Sequence, residues 1–417
     1  MLNKIETFLS DKFKFDAKYT LRGGFWLLFG HLFTILAVLS TSYAFANYLD
    51  PLVYGNYRYL VTGSVIISLF SLSGLGSAIT QATAKNLLGF FGQAIQLSTK
   101  YGLITSVVGL IGAAYYFFNG NELLAIGMVL IAIFQPFINT TTLIFPYFFG
   151  KQQFNVSTHW HAFKTLVTTV SIVSATLFTD SVLIIFLSFL LSNLLANTVV
   201  YHLNKPKKED IIDKETSERF ISYAKHTSYQ NILLGFAGQL DKILVFQFLG
   251  AKELAIYAFA TALPDQYKGI TKTIDSLILP RFSNRKLNSI RSTILHKSLI
   301  YFSFLAVCAL AYYLAAPLIF AVLYPSYSES VLLSQIYVLG IMTGIGSIPI
   351  NALKAQLKNR LLYKFQVTSA IFQISSLLLL LPFYGMIGLV TARVVHRIFV
   401  CVISYALFFH TTRQTTC

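Results

Sequence analysis

The chain has 417 residues, of which 55% are hydrophobic and 12% are charged. Soluble domains carry about 25% charged residues, so this composition excludes a water-soluble globule. The 32 lysine and arginine residues outnumber the 16 acidic residues. Such an excess indicates either a nucleic-acid partner or membrane topology, and the positions of the charges decide between them.

Apolar stretches long enough to cross a bilayer recur along the whole chain. They predict an all-α membrane protein with about twelve transmembrane helices, near residues 24–46, 60–80, 101–118, 123–148, 161–178, 182–201, 228–249, 254–279, 298–323, 331–350, 365–382 and 386–409. The first stretch ends at Ala44-Phe45-Ala46, which matches a signal-peptidase site. At roughly 23 residues it is longer than a secretory hydrophobic region, so we interpret it as a retained span.

The basic residues fall mainly on one side of these spans. Most of the 32 lie in the N-terminal segment and in alternate loops counted from it, whereas the opposite loops contain only Arg58 and Lys252. The positive-inside rule therefore predicts that both termini face the cytoplasm. Membrane topology explains the excess of lysine and arginine over acidic residues, and no nucleic-acid partner is expected.

The longest polar stretch, residues 204–225, divides the predicted spans six and six. This predicts an N-terminal half at 1–203, a cytoplasmic linker, and a C-terminal half at 226–417. Sliding one half over the other aligns Tyr57 with Tyr257 at corresponding turns. Two parallel halves related by an axis along the membrane normal would have this pattern.

Four short motifs follow one another along the chain. They are Leu49-Asp-Pro-Leu-Val-Tyr-Gly-Asn-Tyr57, Gly74-Leu-Gly-Ser-Ala-Ile79, Gln239-Leu-Asp-Lys-Ile-Leu244 with Phe248-Leu-Gly250, and Leu279-Pro-Arg-Phe-Ser-Asn284. Their order and spacing resemble the polysaccharide or O-antigen flippases (Wzx type) of the multidrug/oligosaccharidyl-lipid/polysaccharide (MOP) exporter superfamily. The resemblance covers essentially the whole chain. Gln81 stands where the family often has arginine, so no substrate contact is carried to that position.

The resemblance implies a MATE-like, V-shaped fold of two pseudo-symmetric six-helix halves in a bacterial inner membrane. It implies a transporter, not an enzyme, that flips an undecaprenyl-pyrophosphate-linked oligosaccharide to the periplasmic leaflet. The glycan would be an O-antigen (lipopolysaccharide) or other surface polysaccharide repeat unit. An H⁺ or Na⁺ gradient would drive transport without a cofactor. The expected partners are the lipid bilayer, a polysaccharide polymerase and a chain-length regulator.

Charged side chains inside a membrane are costly, so each is a candidate for function. In the seventh span, Lys242 is interpreted as a cation that lines the cavity and meets an anionic substrate group. Asp241 beside it is a candidate polar cavity residue or ion-coupling residue. The alternative is structural: Asp241 would form an interhelical ion pair, for instance with Arg393. In that case neither residue would contact substrate.

The twelfth span places Arg393, His396 and Arg397 on one face by their spacing of three and four residues. Arginine favours phosphate because its planar donors form a fork, so Arg393 and Arg397 are predicted substrate-binding cations. The alternative is that they pack helices together, satisfied by backbone carbonyls or Asp241. His396 is a candidate for ion coupling, although a spectator role is the simpler interpretation.

Polar residues also recur at helical spacing in the eighth span: Thr261, Asp265, Lys268, Lys272 and Asp275. We interpret Asp265 and Lys268 as part of a cavity wall, Lys268 as a substrate-binding cation and Asp265 as an ion-coupling residue. The alternative is a span that ends near Tyr267 and a stripe that faces the cytoplasm.

Three further positions complete the candidate residues. His31 in the first span is either an ion-coupling residue or a packed histidine. Arg58 at the mouth of the second span either binds substrate or extends its charge to the membrane surface. His159 and His161 have no third ligand nearby in sequence, so no metal site is predicted.

Two other functions are weighed against flipping. A MATE-like cation or drug antiporter would use cavity carboxylates, yet the cations predicted within spans outnumber the acids there. A membrane-bound polysaccharide polymerase, ligase or glycosyltransferase would need a long extracytoplasmic loop. The longest predicted loop on that side, near residues 324–330, is short.

Overall fold

The computed structural model describes residues 17–206, 212–269, 271, 282, 287–356 and 359–414. Within these ranges the regular structure is entirely helical. The α-helices are α1 (Ala17–Tyr48), α2 (Pro51–Ser68), α3 (Leu75–Ala84), α4 (Phe90–Phe118), α5 (Glu122–Thr142), α6 (Ile144–Gly150), α7 (Phe154–Phe178), α8 (Val182–Asn204), α9 (Lys214–Leu249), α10 (Ala251–Ala262), α11 (Leu287–Leu323), α12 (Ser330–Leu339), α13 (Ser347–Ala355) and α14 (Asn359–Gln414). Three 3₁₀ helices accompany them, at Pro264–Gln266, Pro325–Tyr327 and Gly340–Gly346.

Each of the predicted spans coincides with one or more of these helices. Nine helical stretches of the described ranges are long and apolar enough to cross a membrane, by length and composition. The number is lower than twelve because α14 contains two predicted spans and the second span is divided between α2 and α3. The eighth span is broken after Ala262 and continues into residues outside the described ranges. The prediction of an all-α membrane protein is therefore confirmed.

The long helix α14 folds back on itself. A straight helix of its length would measure about 80 Å, more than twice the hydrocarbon core. At Gly385 the backbone has φ 57° and ψ −136°, a conformation that glycine adopts readily. Phe372 before this break and Phe399 after it stack with their ring centroids 3.7 Å apart. The two arms thus pack antiparallel and correspond to the eleventh and twelfth predicted spans.

Side-chain caps explain where several helices begin. Asp50 precedes Pro51 and accepts the backbone N–H of Leu52 at 2.7 Å; this is the N-cap with proline at the first helical position. Asp213 caps α9 in the same way and accepts from the N–H of Thr216 at 2.8 Å. The hydrogen bonds with Thr216 hold the pKa of Asp213 below its usual value.

The described helices form two compact units, Leu36–Ala258 and Met1–Ile35 with Phe259–Cys417. In the first unit, small residues allow close packing of α4 on α5: a Cβ at Gly109 would lie 2.8 Å from the Cβ of Ala132. Polar side chains in this unit satisfy one another, for example Ser64 and Gln135, whose hydrogen bond is 2.6 Å long. The division into halves at 204–225 stays a prediction.

Candidate functional site

A break in the eighth span positions the acidic residue of the site. Helix α10 ends at Ala262, and the chain continues as the 3₁₀ turn Pro264–Gln266. Proline has no N–H and interrupts the helical ladder, so backbone carbonyls lose their usual partners here. Asp265 lies in this turn, half-buried. Because the α-helix is interrupted here, the position of the Asp265 carboxylate is not set by regular α-helical geometry.

His31 of α1 satisfies the interrupted backbone. Its Nε2 lies 2.8 Å from the carbonyl oxygen of Gln266, so Nε2 carries the proton and donates. The imidazole also lies against Gly269, where a Cβ would collide with the ring. Irregular backbone at membrane depth needs such partners. The structure therefore places the candidate His31 as support for the turn that carries Asp265.

Three side chains, those of Lys268, Tyr337 and Arg397, contact Asp265; we call these four residues the Asp265 cluster. Lys268 Nζ lies 2.8 Å and Arg397 Nη2 3.2 Å from Asp265 Oδ1. The hydroxyl of Tyr337 donates to the same oxygen at 2.7 Å and accepts from Arg397 Nη2 at 2.7 Å. A single carboxylate oxygen thus connects span eight, helix α12 and span twelve.

The guanidinium of Arg397 is held by aromatic rings as well as by charge. Its Cζ lies 4.3 Å from the ring centroid of Tyr337 and 5.4 Å from that of Tyr267, within the range of cation–π attraction. Its side chain is 13% exposed. A Cβ at Gly340 would lie 2.8 Å from Arg397 Cδ and Nη1. Gly340 therefore leaves the space that the guanidinium occupies.

Some hydrogen-bond donors of the Asp265 cluster are not used within it. Arg397 Nη1 is buried and makes no hydrogen bond with the part of the chain that the structure describes. The Lys268 side chain is 46% exposed, so its ammonium has N–H groups beyond the one directed at Asp265. Arg393 lies one helical turn before Arg397, close enough for its charge to act on Arg397 and Lys268. Counting these described residues, the cluster carries a net positive charge.

His396 has a different environment from its neighbours on span twelve. Its Nε2 lies 3.0 Å from Ser369 Oγ on the other arm of α14. This contact fastens the two arms of the hairpin, next to the stacked pair Phe372 and Phe399. The structure therefore places His396 in helix packing, while Arg397 lies in the Asp265 cluster.

The remaining candidate charges belong to the unit Leu36–Ala258. Asp241 is buried and accepts from the hydroxyl of Tyr257 at 2.5 Å, and Lys242 donates to Gln239 Oε1 at 2.8 Å. Arg58 is half-buried on α2, and its buried Nε makes no hydrogen bond to a described residue. Lys272 and Asp275 lie outside the described residues.

Three residues of this site, Tyr267, Tyr337 and Gly340, are not among those predicted from the sequence. Nothing in the sequence distinguished Tyr267 and Tyr337 from the other tyrosines, because the chain contains 24 of them, most of them in apolar stretches. Gly340 could have been recognised, because it begins the segment Gly340-Ile-Met-Thr-Gly-Ile-Gly346, in which glycine recurs inside a predicted span. That segment forms a 3₁₀ helix, which in mid-span often marks a functional position.

Solved structures define the class to which this architecture belongs. The chain is similar to an inward-facing multidrug resistance transporter of the MATE family and MOP superfamily, with a TM-score of 0.64, 11% identity, and coverage of 94% of this chain and 98% of that one. It is also similar to a MOP-superfamily transporter from Pyrococcus furiosus, with a TM-score of 0.66, 12% identity and 96% of both chains covered. For the MATE transporter VcmN of Vibrio cholerae, the TM-score is 0.60 at 16% identity, over 95% and 97%. The fold is that of MATE transporters, as predicted.

A match of the sequence to a family model identifies the family of the protein. The model of the polysaccharide biosynthesis protein family matches residues 20–285, more than half of the chain, and the protein belongs to this family. A comparison with curated protein sequences finds no match. Family and fold together make the protein a multi-pass membrane transporter of the MOP superfamily and not an enzyme.

Proposed function

We propose that the protein flips a lipid-linked oligosaccharide, carried on a pyrophosphate-bearing polyprenol such as undecaprenol, from the cytoplasmic to the periplasmic leaflet. The membrane would be a bacterial inner membrane, with both termini in the cytoplasm. The observation that carries the proposal is the Asp265 cluster, in which the cations outnumber the single carboxylate. Membership of the polysaccharide biosynthesis family supports a glycan as the cargo.

The pyrophosphate group is the part of such a substrate that the cluster suits. Arginine offers a rigid fork that matches phosphate oxygens, and lysine adds a mobile point charge. Within the described ranges Arg397 Nη1 has no hydrogen-bond partner, and the Lys268 side chain is 46% exposed. Both can therefore donate to an incoming anion. Arg393 adds positive charge from one turn away.

A cation or drug antiporter is the second candidate, because multidrug MATE transporters have the same fold. Such a transporter needs a carboxylate that is available to a cation. In this chain Asp265 is already paired with Lys268 and Arg397, and buried Asp241 accepts from Tyr257. The Pyrococcus furiosus transporter is described as having a binding pocket of reversed polarity, which suggests a different function. The paired carboxylates favour an anionic substrate here.

Alternating access would move the bound headgroup across the membrane, driven by an H⁺ or Na⁺ gradient. Arg58 and Lys242 would add cations along the path. Once delivered to the periplasmic leaflet, the oligosaccharide would be taken up by a polymerase and its chain-length regulator. O-antigen of lipopolysaccharide is one repeat unit of this kind.

Reconstitution tests the proposal directly. The purified protein is placed in liposomes with a fluorescent oligosaccharide linked to a polyprenyl pyrophosphate, and transfer is followed by quenching with a membrane-impermeant reagent. We expect transfer well above that of protein-free liposomes and no uptake of a cationic dye under the same gradient. Dye transport without glycolipid transfer would overturn the proposal in favour of the antiporter.

A deletion in the native host gives an independent test. In a strain with no second flippase, loss of the gene should abolish the surface glycan and accumulate lipid-linked intermediates in the cytoplasmic leaflet. Persistence of the surface glycan would contradict the proposal.

A further inference from the structure

The carboxylate oxygen at the centre of the Asp265 cluster accepts from three donors at once. An ionised carboxylate oxygen offers about two acceptor sites. Asp265 Oδ1 accepts from Lys268 at 2.8 Å, from Tyr337 at 2.7 Å and from Arg397 at 3.2 Å. The bond to Arg397 is the longest of the three. The donors therefore compete for a single oxygen.

The same donors match an anion with more oxygens. A phosphate group presents several charged oxygens in a compact tetrahedron, so Lys268, Tyr337 and both terminal nitrogens of Arg397 could each find an acceptor. Arg397 Nη1 is buried and makes no hydrogen bond to any residue that the structure describes. An unsatisfied buried donor is costly, and a second acceptor would remove that cost.

We propose that Asp265 is an internal counter-anion that occupies the phosphate position of the empty transporter and is displaced when the substrate binds. This inference rests on the proposed function, and it adds a role for Asp265 in setting substrate affinity. In the empty state the carboxylate neutralises Lys268 and Arg397. The pyrophosphate must compete with it for these donors, and Asp265 returns to them as the substrate leaves.

Competition between Asp265 and the substrate lowers the affinity for pyrophosphate and speeds the release of the substrate. Replacement of Asp265 by asparagine keeps the size of the side chain and an amide oxygen for Lys268 and Tyr337, but it removes the competing charge. The Asp265→Asn variant should therefore bind pyrophosphate more tightly than the wild-type protein. It should also flip substrate more slowly, because nothing displaces the bound anion.

The test measures binding of inorganic pyrophosphate and of farnesyl pyrophosphate to the full-length purified protein by calorimetry. We expect the dissociation constant of Asp265→Asn to fall by about tenfold or more, since opposite charges at contact distance interact strongly away from bulk water. The matched control is Asp213→Asn, which removes one negative charge from an exposed helix cap that asparagine can maintain. Its affinity should equal that of the wild-type protein.

Equal or weaker binding by a folded Asp265→Asn protein would overturn the inference. Tighter binding by Asp213→Asn to the same degree would also overturn it, because the effect would then be one of net charge alone. If the wild-type protein binds neither pyrophosphate compound, the proposed function itself fails. The two failures are therefore distinguishable.

A second measurement needs no variant. Infrared difference spectra of the wild-type protein, recorded with and without inorganic pyrophosphate, report on the carboxylate stretching bands. Loss of the contacts from Lys268 and Arg397 should shift the band of Asp265. A pyrophosphate-bound protein with unchanged carboxylate bands would contradict displacement, even if Asp265→Asn failed to fold.

Discussion

Arg397 and Tyr337 are joined twice, once through the ring and once through the hydroxyl. The Arg397 Cζ lies 4.3 Å from the ring centroid of Tyr337, and Nη2 donates to the hydroxyl at 2.7 Å. The same hydroxyl donates a hydrogen bond to Asp265 Oδ1 at 2.7 Å. Tyr337 thus fixes both the plane of the guanidinium and its distance from the carboxylate.

The two contacts can be separated by substitution. Tyr337→Phe keeps the ring and loses the hydroxyl, whereas Tyr337→Leu loses both. A hydrogen bond to a charged group contributes roughly 1.5–3 kcal/mol and a desolvated cation–π contact about 2 kcal/mol. We expect flipping in liposomes to fall in the order wild type, Tyr337→Phe, Tyr337→Leu. Equal activity of the two variants would show that the ring contributes nothing to the position of Arg397.

Gly340 is predicted to be essential because of the space that it leaves. A methyl group there would lie 2.8 Å from Arg397 Cδ and Nη1, so Gly340→Ala should push the guanidinium away from Asp265. Flipping and pyrophosphate binding should both drop by tenfold or more, on the order of 1.4 kcal/mol in binding free energy. The measurement is the same liposome assay, with binding followed by calorimetry.

The matched control for this prediction lies in the same 3₁₀ helix. A Cβ at Gly344 would meet Leu305 Cδ1 at 3.1 Å, the flexible end of a leucine and no part of the Asp265 cluster. Gly344→Ala should retain flipping. Loss of activity in both variants to the same extent would indicate that the 3₁₀ segment itself, and not Arg397, is disturbed.

His31 is predicted to stabilise the fold by completing the backbone at the break in span eight. His31→Ala leaves the carbonyl of Gln266 without its 2.8 Å partner, which should cost roughly 1–3 kcal/mol in the free energy of unfolding. The check is thermal unfolding in detergent, with the exposed His410→Ala as control. An unchanged melting temperature for His31→Ala would refute the structural role and restore the ion-coupling hypothesis.

Gly385 is predicted to be required for the hairpin of α14. Its φ of 57° with ψ −136° is strained for any residue with a Cβ, at a cost of order 1–3 kcal/mol. Gly385→Ala should lower the melting temperature, whereas Gly238→Ala should not, because a Cβ at Gly238 would meet no atom within 4 Å. Comparable melting temperatures for the two variants would contradict the strained turn.

The sequence was sufficient to predict the spans because their cause is local. Twenty apolar residues in succession have few alternatives to crossing a bilayer, and each predicted span corresponds to helix in the described ranges. The breaks within spans were less predictable. Pro264 and Gly340 were visible in the sequence, but proline and glycine occur inside many regular membrane helices, so neither identifies a break by itself.

The candidate site was predictable only in part, for a similar reason. The cost of burying charge singled out Asp265, Lys268 and Arg397 individually. Their association could not be predicted, because Asp265 and Arg397 are 132 residues apart in the chain. The structure gives Asp241 a hydrogen bond from Tyr257, and the ion pair of Asp241 with Arg393 stays a prediction. Long-range pairing of this kind depends on helix packing.

The most direct test of the account is the rate of glycolipid flipping by Arg397→Ala and Arg397→Lys, each reconstituted as a folded, monodisperse protein. The structure gives Arg397 two terminal nitrogens at the Asp265 cluster, one of them without a hydrogen bond among the described residues, and lysine cannot reproduce this fork. We expect Arg397→Ala to abolish flipping and Arg397→Lys to restore only a minor part of it. Full activity of Arg397→Lys would contradict fork-specific recognition of phosphate, and full activity of Arg397→Ala would contradict a role for the cluster in substrate binding.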